Sequence, residues 1–337
     1  MQAPPEIDCR RPYKLVDRPG LAEQYHLFDD ESVLALRAAL AARRPLLVRG
    51  EPGVGKTQLA EAAACALKRP LVPKVVDSRT ESRDLLWEFD AIQRLADAQV
   101  AAAFLSERTA PGEPGPGVVG GELREKLAVR RYVRPGPLWW AFDWEDAARR
   151  AVETQTPFPL FGKAGDPKNG CVVLIDEIDK ADSDVPNGLL EALGAGRFTP
   201  LGQSEPVQVR GEPPLVVITT NEERVLPNAF VRRCLILELR LPGEEAGLVD
   251  HLVKRATAHF PQRVAGSKPL FRKAAELLVA DRRAAQDANL SPLPGQAEYL
   301  DLLRAVFHLA PEDVARQEAL LKSVARFAVR KHEQVRS

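Results

Sequence analysis

The chain has 337 residues, of which 45% are hydrophobic and 28% are charged, a composition typical of ordinary globular proteins and a length that suits two domains. Its 47 basic and 47 acidic residues balance, so the whole molecule has no general attraction for nucleic acid or for an anionic membrane. The N-terminus lacks a signal-peptide pattern, and no apolar run reaches the roughly 20 residues that span a bilayer, so we expect a cytoplasmic protein without a membrane span.

The first 28 residues contain several prolines and are predicted to form an extended lead-in. A helical pattern of apolar residues starts near Asp29, where Asp29, Asp30 and Ser32 are candidate capping residues. The run Arg43-Arg44-Pro45 is expected to end this helix and to lead into a strand.

That strand runs into a glycine-rich turn, which is followed by an alanine-rich helical pattern. The turn fits the phosphate-binding pattern G-x-x-x-x-G-K-[ST]. Glycines let backbone N–H groups converge on a polyphosphate, and the start of the next helix adds partial positive charge. Lys56 is expected to reach the terminal phosphates, and the Thr57 hydroxyl to bind Mg²⁺. The predicted nucleotide-binding residues are Gly50, Glu51, Pro52, Gly53, Val54, Gly55, Lys56 and Thr57.

The segment between the loop and the next buried strand mixes several signals. Leu71–Asp77 is a candidate strand, and Pro73 places it at or near a sheet edge. A helical period covers 84–105, and residues 110–121 are so rich in Pro and Gly that they indicate a mobile loop or a functional insertion. Further helical patterns cover 123–129 and 144–152. The pair Trp139-Trp140 either packs in the core or faces a partner.

Polar residues follow two predicted buried strands. Asp176 and Glu177 come directly after the apolar run Cys171–Ile175, and ligands of open α/β sheets bind at such carboxyl ends. In a triphosphatase the aspartate holds Mg²⁺ and the glutamate activates the attacking water. Asn221 follows the next strand, Leu215–Thr220, and either hydrogen-bonds the water and the γ-phosphate or simply ends the strand.

The remainder of the chain predicts one more strand and then helices only. Arg232 and Arg233 precede the strand Leu235–Leu239, and they either stabilise charge on a transferring phosphoryl group or form a solvated basic pair. Short buried strands alternating with helices indicate a doubly wound parallel α/β sheet, here with a phosphate loop and a following all-helical domain. The helical patterns after Pro242 cover Glu244–Phe260, Leu270–Ala285, Gln296–Leu309 and Glu312–Gln334.

Four motifs in this order resemble those of the AAA+ ATPases of the MoxR type, within the dynein-related group. They are Gly50–Thr57, the run from Leu174 to Ala181, Thr219–Glu223, and the run from Leu226 to Cys234. The resemblance implies that Lys56 and Thr57 belong to Walker A, that Asp176 and Glu177 belong to Walker B, with Asp176 and Thr57 on Mg²⁺, and that Asn221 is sensor 1. It also implies that Arg233 is the arginine finger, with Arg232 as the alternative.

The same resemblance implies the domain organisation and the partners. The AAA+ core is expected at 29–242, with a helix-2 insert at about 84–143 and a hairpin from Phe198 to Val209, and the helical lid at 243–337. It implies ATP hydrolysis with Mg²⁺ in a hexameric ring that remodels or assembles a protein partner, such as a von Willebrand A-domain protein. The family usually has a basic residue, sensor 2, in the region that corresponds to 289–295, and this region contains no Lys or Arg. Arg282, Arg283 and Arg304 are candidate substitutes from elsewhere in the chain.

Two other classes of function stay open from the sequence. A nucleotide-gated scaffold with little turnover is favoured by the missing sensor 2 residue. A nucleic-acid translocase would share this fold group, but the zero net charge weighs against it. ATP is expected rather than GTP because no N-K-x-D-type base-reading motif is present.

Overall fold

The computed structural model describes residues 7–15, 23–107, 123–159 and 165–329. The Pro- and Gly-rich run at 110–121 lies outside these ranges. The strands are β1 (Tyr13–Lys14), β2 (Tyr25–His26), β3 (Leu46–Gly50), β4 (Leu71–Val75), β5 (Trp87–Phe89), β6 (Val133–Pro135), β7 (Val172–Asp176), β8 (Arg197–Phe198), β9 (Val207–Gln208), β10 (Leu215–Thr219) and β11 (Leu235–Leu239).

Helices occupy most of the other described residues. They are α1 (Asp30–Ala42), α2 (Lys56–Leu67), α3 (Ala91–Glu107), α4 (Pro137–Phe142), α5 (Trp144–Glu153), α6 (Asp184–Ala195), α7 (Asn228–Val231), α8 (Glu245–His259), α9 (Val264–Asp287), α10 (Gln296–Leu309) and α11 (Val314–Ala328). Short 3₁₀ turns lie at Ser82–Leu85, Val129–Tyr132, Pro167–Asn169, Ile178–Lys180 and Pro261–Arg263.

A five-stranded parallel sheet of order β11-β3-β10-β7-β4 forms the centre of the fold. Its register pairs Leu46 of β3 with Leu235 of β11 and with Val217 of β10. The inner strands β7 and β10 are apolar up to their last residues, Asp176 and Thr219, because helices cover both faces of the sheet. This confirms the predicted doubly wound α/β fold. It also confirms the position of Pro73, since β4 is an edge strand.

The two faces of the sheet support separate hydrophobic clusters, because successive side chains of a strand point to opposite faces. On one face Leu47 and Ile175 pack with Trp139 and Trp140. On the other face Leu46 and Leu174 pack among the residues of α1 and α2. The structure therefore confirms the packing interpretation of the tryptophan pair, since both indoles are buried.

The helical prediction for 84–105 was wrong at its beginning. Trp87–Phe89 forms strand β5, which pairs antiparallel with β6, and α3 begins only at Ala91. Trp87 and Phe89 are half-buried and pack against the first cluster, because an extended backbone places both side chains on the same face of β5. The predicted hairpin is confirmed as the β8–β9 pair.

The last four helices have a hydrophobic cluster of their own, which includes Leu252, Phe271, Leu278, Tyr299 and Leu303. The predicted bounds of α10 are correct, and α8 matches its prediction within one residue at each end. α11 begins two residues after the predicted Glu312, and residues 330–334 of that predicted helix lie outside the described ranges. α9 begins at Val264, six residues before the prediction. No helix in the described ranges combines the length and the apolar character that a membrane crossing requires.

We expect Trp139→Ala to lower the free energy of unfolding by about 3–5 kcal/mol, the range for aromatic-to-alanine changes in cores. The indole is fully buried, and its Nε1 donates to Asp146 Oδ2 at 2.8 Å. Urea denaturation followed by circular dichroism measures this change. The matched control is Ile92→Ala on α3, where the side chain is 84% exposed and the change should stay within about 0.5 kcal/mol. Equal losses in the two variants would contradict the assigned packing.

Candidate functional site

The phosphate loop joins β3 to α2 through two glycines that no other residue could replace without strain. Gly50 has φ 145°, and a Cβ there would lie 2.4 Å from the carbonyl oxygen of Leu239. Gly55 has φ 102° and caps α2 in a left-handed conformation. The loop therefore turns tightly against β11 and directs the start of α2 toward the carboxyl edge of the sheet.

Lys56 is a largely buried cation in this loop. Its Nζ donates to the carbonyl oxygens of Gly50 at 2.6 Å and Glu51 at 3.0 Å. Burial lowers its pKa, whereas the nearby carboxylates, led by Asp176, act in the opposite direction. In the described ranges no carboxylate lies within ion-pair distance of this ammonium. A buried ammonium bonded only to carbonyls fits an anion such as a polyphosphate.

Thr57 and Asp176 meet where α2 begins and β7 ends. The Thr57 hydroxyl donates to both carboxylate oxygens of Asp176 at 3.1 Å. Thr219, at the end of β10, donates to the same carboxylate and accepts the backbone N–H of Glu177. Thr219 was missed by the sequence analysis as a site residue, although its place at the end of a buried strand was a usable signal.

The hydroxyl oxygen of Thr57 and the carboxylate oxygens of Asp176 are suitable ligands for Mg²⁺. In the described ranges no cluster of three or more His, Cys, Asp or Glu side chains could form an all-protein metal site. Mg²⁺ usually takes only one or two protein oxygens and completes its shell with water and substrate phosphates. A hydroxyl and a carboxylate beside a phosphate loop match that requirement.

Glu177 lies in a left-handed backbone conformation at φ 62°, which is uncommon for a glutamate. Its Oε1 accepts from Asn221 Nδ2 at 3.4 Å, and its Oε2 accepts from Lys180 Nζ at 2.6 Å. This hydrogen bond raises the pKa of Lys180. The structure thus brings the predicted Glu177 and Asn221 together, and it adds Lys180 as a partner that the sequence analysis did not identify.

The predicted residues Arg232 and Arg233 lie away from the phosphate loop and from the carboxylates of Asp176 and Glu177. They are exposed at the amino end of β11, whereas the phosphate loop follows the carboxyl end of the adjacent parallel strand β3. Their carbonyl oxygens accept from the Arg44 guanidinium. Five residues of strand separate the two edges, roughly 15 Å at 3.3 Å per residue, so one chain does not bring these guanidinium groups to its own loop.

Two cavities flank the phosphate loop. The first, a cleft of about 360 Å³, is lined by loop residues, by the polar strand ends and by residues of α10. The second, of about 420 Å³, lies on the other side of Val54, between β2, α1, β11 and α8. The first cleft contains Lys56, Thr57, Asp176, Glu177, Asn221, Gln296 and Arg304.

The three arginines considered as sensor 2 substitutes have different positions. Arg304 lines the cleft and pairs with Asp301 at 2.7 Å. Arg282 is buried and binds both carboxylate oxygens of Glu51 at 2.9 and 2.7 Å, so it reaches the phosphate loop but not the cleft. Arg283 is exposed and pairs with Glu245, so this candidate was wrong. Gln296, at the start of α10, is the buried polar residue that faces the loop.

Comparison with known proteins then decides the family. The family model described as an AAA domain of the dynein-related subfamily matches residues 45–234, which is more than half of the chain. The chain belongs to the dynein-related AAA family.

Two solved structures share limited similarity with this chain. A Cytophaga hutchinsonii protein named a putative ATPase has 13% sequence identity and a TM-score of 0.38, over 86% of this chain and 78% of that chain. A point mutant of Thermotoga maritima RuvB has 15% identity and a TM-score of 0.41, over 87% of this chain and 68% of that chain. No curated protein matches the sequence.

The contact between Arg282 and Glu51 links the helices after Pro242 to the phosphate loop. We expect Arg282→Ala to lower the free energy of unfolding by about 1–3 kcal/mol, because it removes a charged hydrogen-bond donor from Glu51 and from the Pro294 carbonyl. Chemical denaturation measures the loss. Arg283→Ala is the matched control, since its exposed ion pair contributes less than about 1 kcal/mol. If Arg283→Ala lowers the free energy of unfolding as much as Arg282→Ala does, the stabilising role of the contact between Arg282 and Glu51 is wrong.

Proposed function

We propose that this AAA protein hydrolyses ATP in a ring of identical subunits and uses the conformational change to remodel or assemble a protein partner. One observation supports the hydrolytic part most strongly. Lys56, Thr57, Asp176, Glu177 and Asn221 line a single cleft at the carboxyl edge of the sheet, although they come from three separate segments.

In this proposal the substrate lies across the two cavities. The phosphates would lie in the cleft, where the loop N–H groups and Lys56 meet them. The nucleoside would pass Val54 and enter the second cavity. Membership of the AAA family supports nucleotide binding. ATP rather than GTP is our proposal, because the sequence has no N-K-x-D-type guanine-reading motif.

In the proposed reaction, water attacks the γ-phosphorus, the bond to the β–γ bridging oxygen breaks, and ADP leaves. Glu177 accepts a proton from the attacking water, and Asn221 orients the groups around it. Lys56 stabilises the negative charge on the phosphates. Mg²⁺, held by Thr57 and Asp176, would supply further charge neutralisation. Lys180 must share Glu177 with the water, so this ion pair sets how available the base is.

Ring formation is supported by the position of Arg232 and Arg233 at the opposite edge of the sheet. A head-to-tail contact between two copies would bring an arginine of one subunit to the cleft of the next, and such contacts close into rings when the rotation permits. We propose Arg233 as the finger, with Arg232 as the alternative, and a hexamer as the assembly.

The assignments of type, domain bounds and partner class rest on the motif resemblance. We infer that the chain is of the MoxR type, with 29–242 as the ATPase core, 84–143 as its helix-2 insert and 243–337 as the lid. On the same basis a von Willebrand A-domain protein is the partner class that we propose.

A nucleotide-gated scaffold with little turnover is the second candidate. The ion pair between Glu177 and Lys180 favours it, because it occupies the carboxylate that would act as the base. The lack of a lysine or arginine in 289–295 favours it as well. Steady-state hydrolysis by the purified protein decides between the two functions.

We expect Glu177→Gln to bind ATP with unchanged affinity and to lose turnover by about 10²- to 10⁴-fold, the contribution of a general base. Phosphate release and equilibrium binding measure the two quantities. Glu191→Gln, an exposed glutamate on α6, is the matched control and should keep normal turnover. Turnover of the Glu177→Gln variant at the wild-type rate would remove Glu177 from the mechanism.

We expect that mixing Arg233→Ala subunits with Lys56→Ala subunits restores part of the activity that each variant alone lacks. In a mixed ring, a Lys56→Ala subunit still offers its arginine to the intact cleft of its neighbour. The measurement is ATP hydrolysis against mixing ratio, in a preparation shown to form mixed rings. Absence of rescue there would argue against a shared site.

A further inference from the structure

The short helix α7 carries Arg232 and Arg233 directly after its last turn. It covers only the four residues Asn228–Val231. A single helical turn is not stable by itself, and the backbone carbonyls at its C-terminal end have no partners within the helix. Phe230 is fully buried in the first cluster, so it anchors one side of the turn. The carbonyls that follow the turn need partners from elsewhere in the chain.

Arg44 supplies those partners. Its Nε donates to the carbonyl oxygen of Arg233 at 3.0 Å, and its Nη2 donates to the carbonyl oxygen of Arg232 and, at 3.4 Å, to that of Cys234. An arginine near the C-terminus of a helix stabilises the last carbonyls by hydrogen bonds and by its positive charge. One guanidinium therefore holds three consecutive peptide groups at the end of α7.

The backbone of Arg44 is itself fixed. Its N–H donates to the carbonyl oxygen of Ala39 in α1 at 3.2 Å, and the next residue, Pro45, restricts its backbone conformation. The carbonyl oxygen of Pro45 accepts the N–H of Leu235 at 2.8 Å, where β3 and β11 begin to pair. The guanidinium of Arg44 therefore reaches α7 from a fixed junction between a helix and the central sheet.

The side chains of Arg232 and Arg233 are bound much less than their backbone. Both side chains are exposed, and neither guanidinium has a hydrogen-bond or ion-pair partner among the residues that the structure describes. A side chain on a fixed backbone loses less conformational freedom when it binds a partner. The pair is thus prepared to bind an anion that the described part of this chain does not supply.

Arg44 is remote from the nucleotide cleft of its own subunit. It precedes β3, the strand Leu46–Gly50 that ends in the phosphate loop, and five residues of strand span roughly 15 Å at 3.3 Å per residue. The cleft is lined by other residues. Loss of the Arg44 side chain should therefore leave nucleotide binding in the same subunit intact.

We propose that Arg44 is a positioning residue for the arginine finger. It holds the peptide groups of Arg232 and Arg233 so that one of their guanidinium groups reaches the cleft of the neighbouring subunit. This inference rests on the proposed function and adds the residue that controls how one subunit presents its finger to the next. Such a group must be placed accurately, because a misplacement of about 1 Å can cost on the order of a hundredfold in rate.

The first test measures ATP turnover and the binding of magnesium ATPγS by the full chain. Arg44→Ala should lower turnover about ten- to hundredfold and leave the affinity for ATPγS unchanged. Arg43→Ala is the matched control, because Arg43 is exposed and its side chain has no hydrogen-bond or ion-pair partner in the described ranges. This control removes the same charge from the same segment and should keep wild-type turnover. Wild-type turnover in Arg44→Ala, or an equal loss in Arg43→Ala, would overturn the inference.

A double-mutant cycle separates positioning from a structural role and from a direct contact of Arg44 with the phosphates. If Arg44 acts through Arg233, then Arg44→Ala lowers turnover no further in a chain that already carries Arg233→Ala. Additive losses would show that Arg44 acts independently, and the inference would be wrong. The cycle is repeated with Arg232→Ala, and the finger variant with the larger single loss decides.

Mixed rings give a further readout. Arg44→Ala and Arg233→Ala alter the same edge of a subunit, whereas Lys56→Ala alters the cleft. Mixing Arg44→Ala subunits with Lys56→Ala subunits should restore part of the turnover, and mixing them with Arg233→Ala subunits should not. If Lys56→Ala rescues Arg233→Ala but not Arg44→Ala, the two arginines do not act together.

Arg44→Gln carries these tests if Arg44→Ala does not fold. The glutamine side chain offers a single NH₂ group, so it cannot hold three carbonyls. Turnover should again fall with unchanged ATPγS affinity, and wild-type turnover would contradict the proposed role. Light scattering of all variants checks that rings form. Loss of rings in the Arg44 variants alone would assign Arg44 to assembly and would overturn the positioning role.

The single finger variants distinguish failure of this inference from failure of the proposed function. If Arg232→Ala and Arg233→Ala both keep wild-type turnover, the proposed finger is wrong. If the wild-type chain does not hydrolyse ATP, the proposed hydrolysis is wrong. If one finger variant loses turnover while Arg44→Ala keeps it, the finger stands and Arg44 does not position it.

Discussion

The site depends on a buried ammonium held at the edge of a parallel sheet. Lys56 has carbonyl oxygens as partners and carboxylates nearby, and burial opposes its charge. Keeping that charge away from water is unfavourable unless an anion or further hydrogen bonds compensate. We propose that an anionic ligand provides this compensation, since the positive φ angles of Gly50 and Gly55 allow the tight loop in which backbone N–H groups can bind it.

The polar ends of the neighbouring strands complete this arrangement. Asp176 receives hydroxyl donors from Thr57 and Thr219, which hold its carboxylate beside the phosphate loop. Glu177 is held in a left-handed conformation with its carboxylate between Asn221 and Lys180. Such strain persists where surrounding structure imposes it, and it recurs at functional sites. The same edge of the sheet thus brings together the carboxylates to which we assign the proposed Mg²⁺ and the proposed base.

The helices after Pro242 contact this edge through three polar groups with different chemistry. Arg282 binds the loop carboxylate of Glu51 from the buried side. Arg304 and Gln296 line the cleft, where Arg304 pairs with Asp301 and Gln296 pairs with His251. A buried ion pair is costly to break, so the contact of Arg282 with Glu51 holds the helical unit against the loop.

The sequence by itself determined the α/β fold, the edge position of Pro73 and the residue set Lys56, Thr57, Asp176, Glu177 and Asn221. Those features are encoded locally, in glycine spacing, in apolar runs and in the residue that ends each strand. Only the tertiary structure decided the rest: that Trp87–Phe89 is a strand, that Thr219 and Lys180 join the site, and that Arg283 does not. It also decided the pairing of His251 with Gln296. Each of these depends on the face that a side chain presents or on contacts between elements, which the local pattern does not specify.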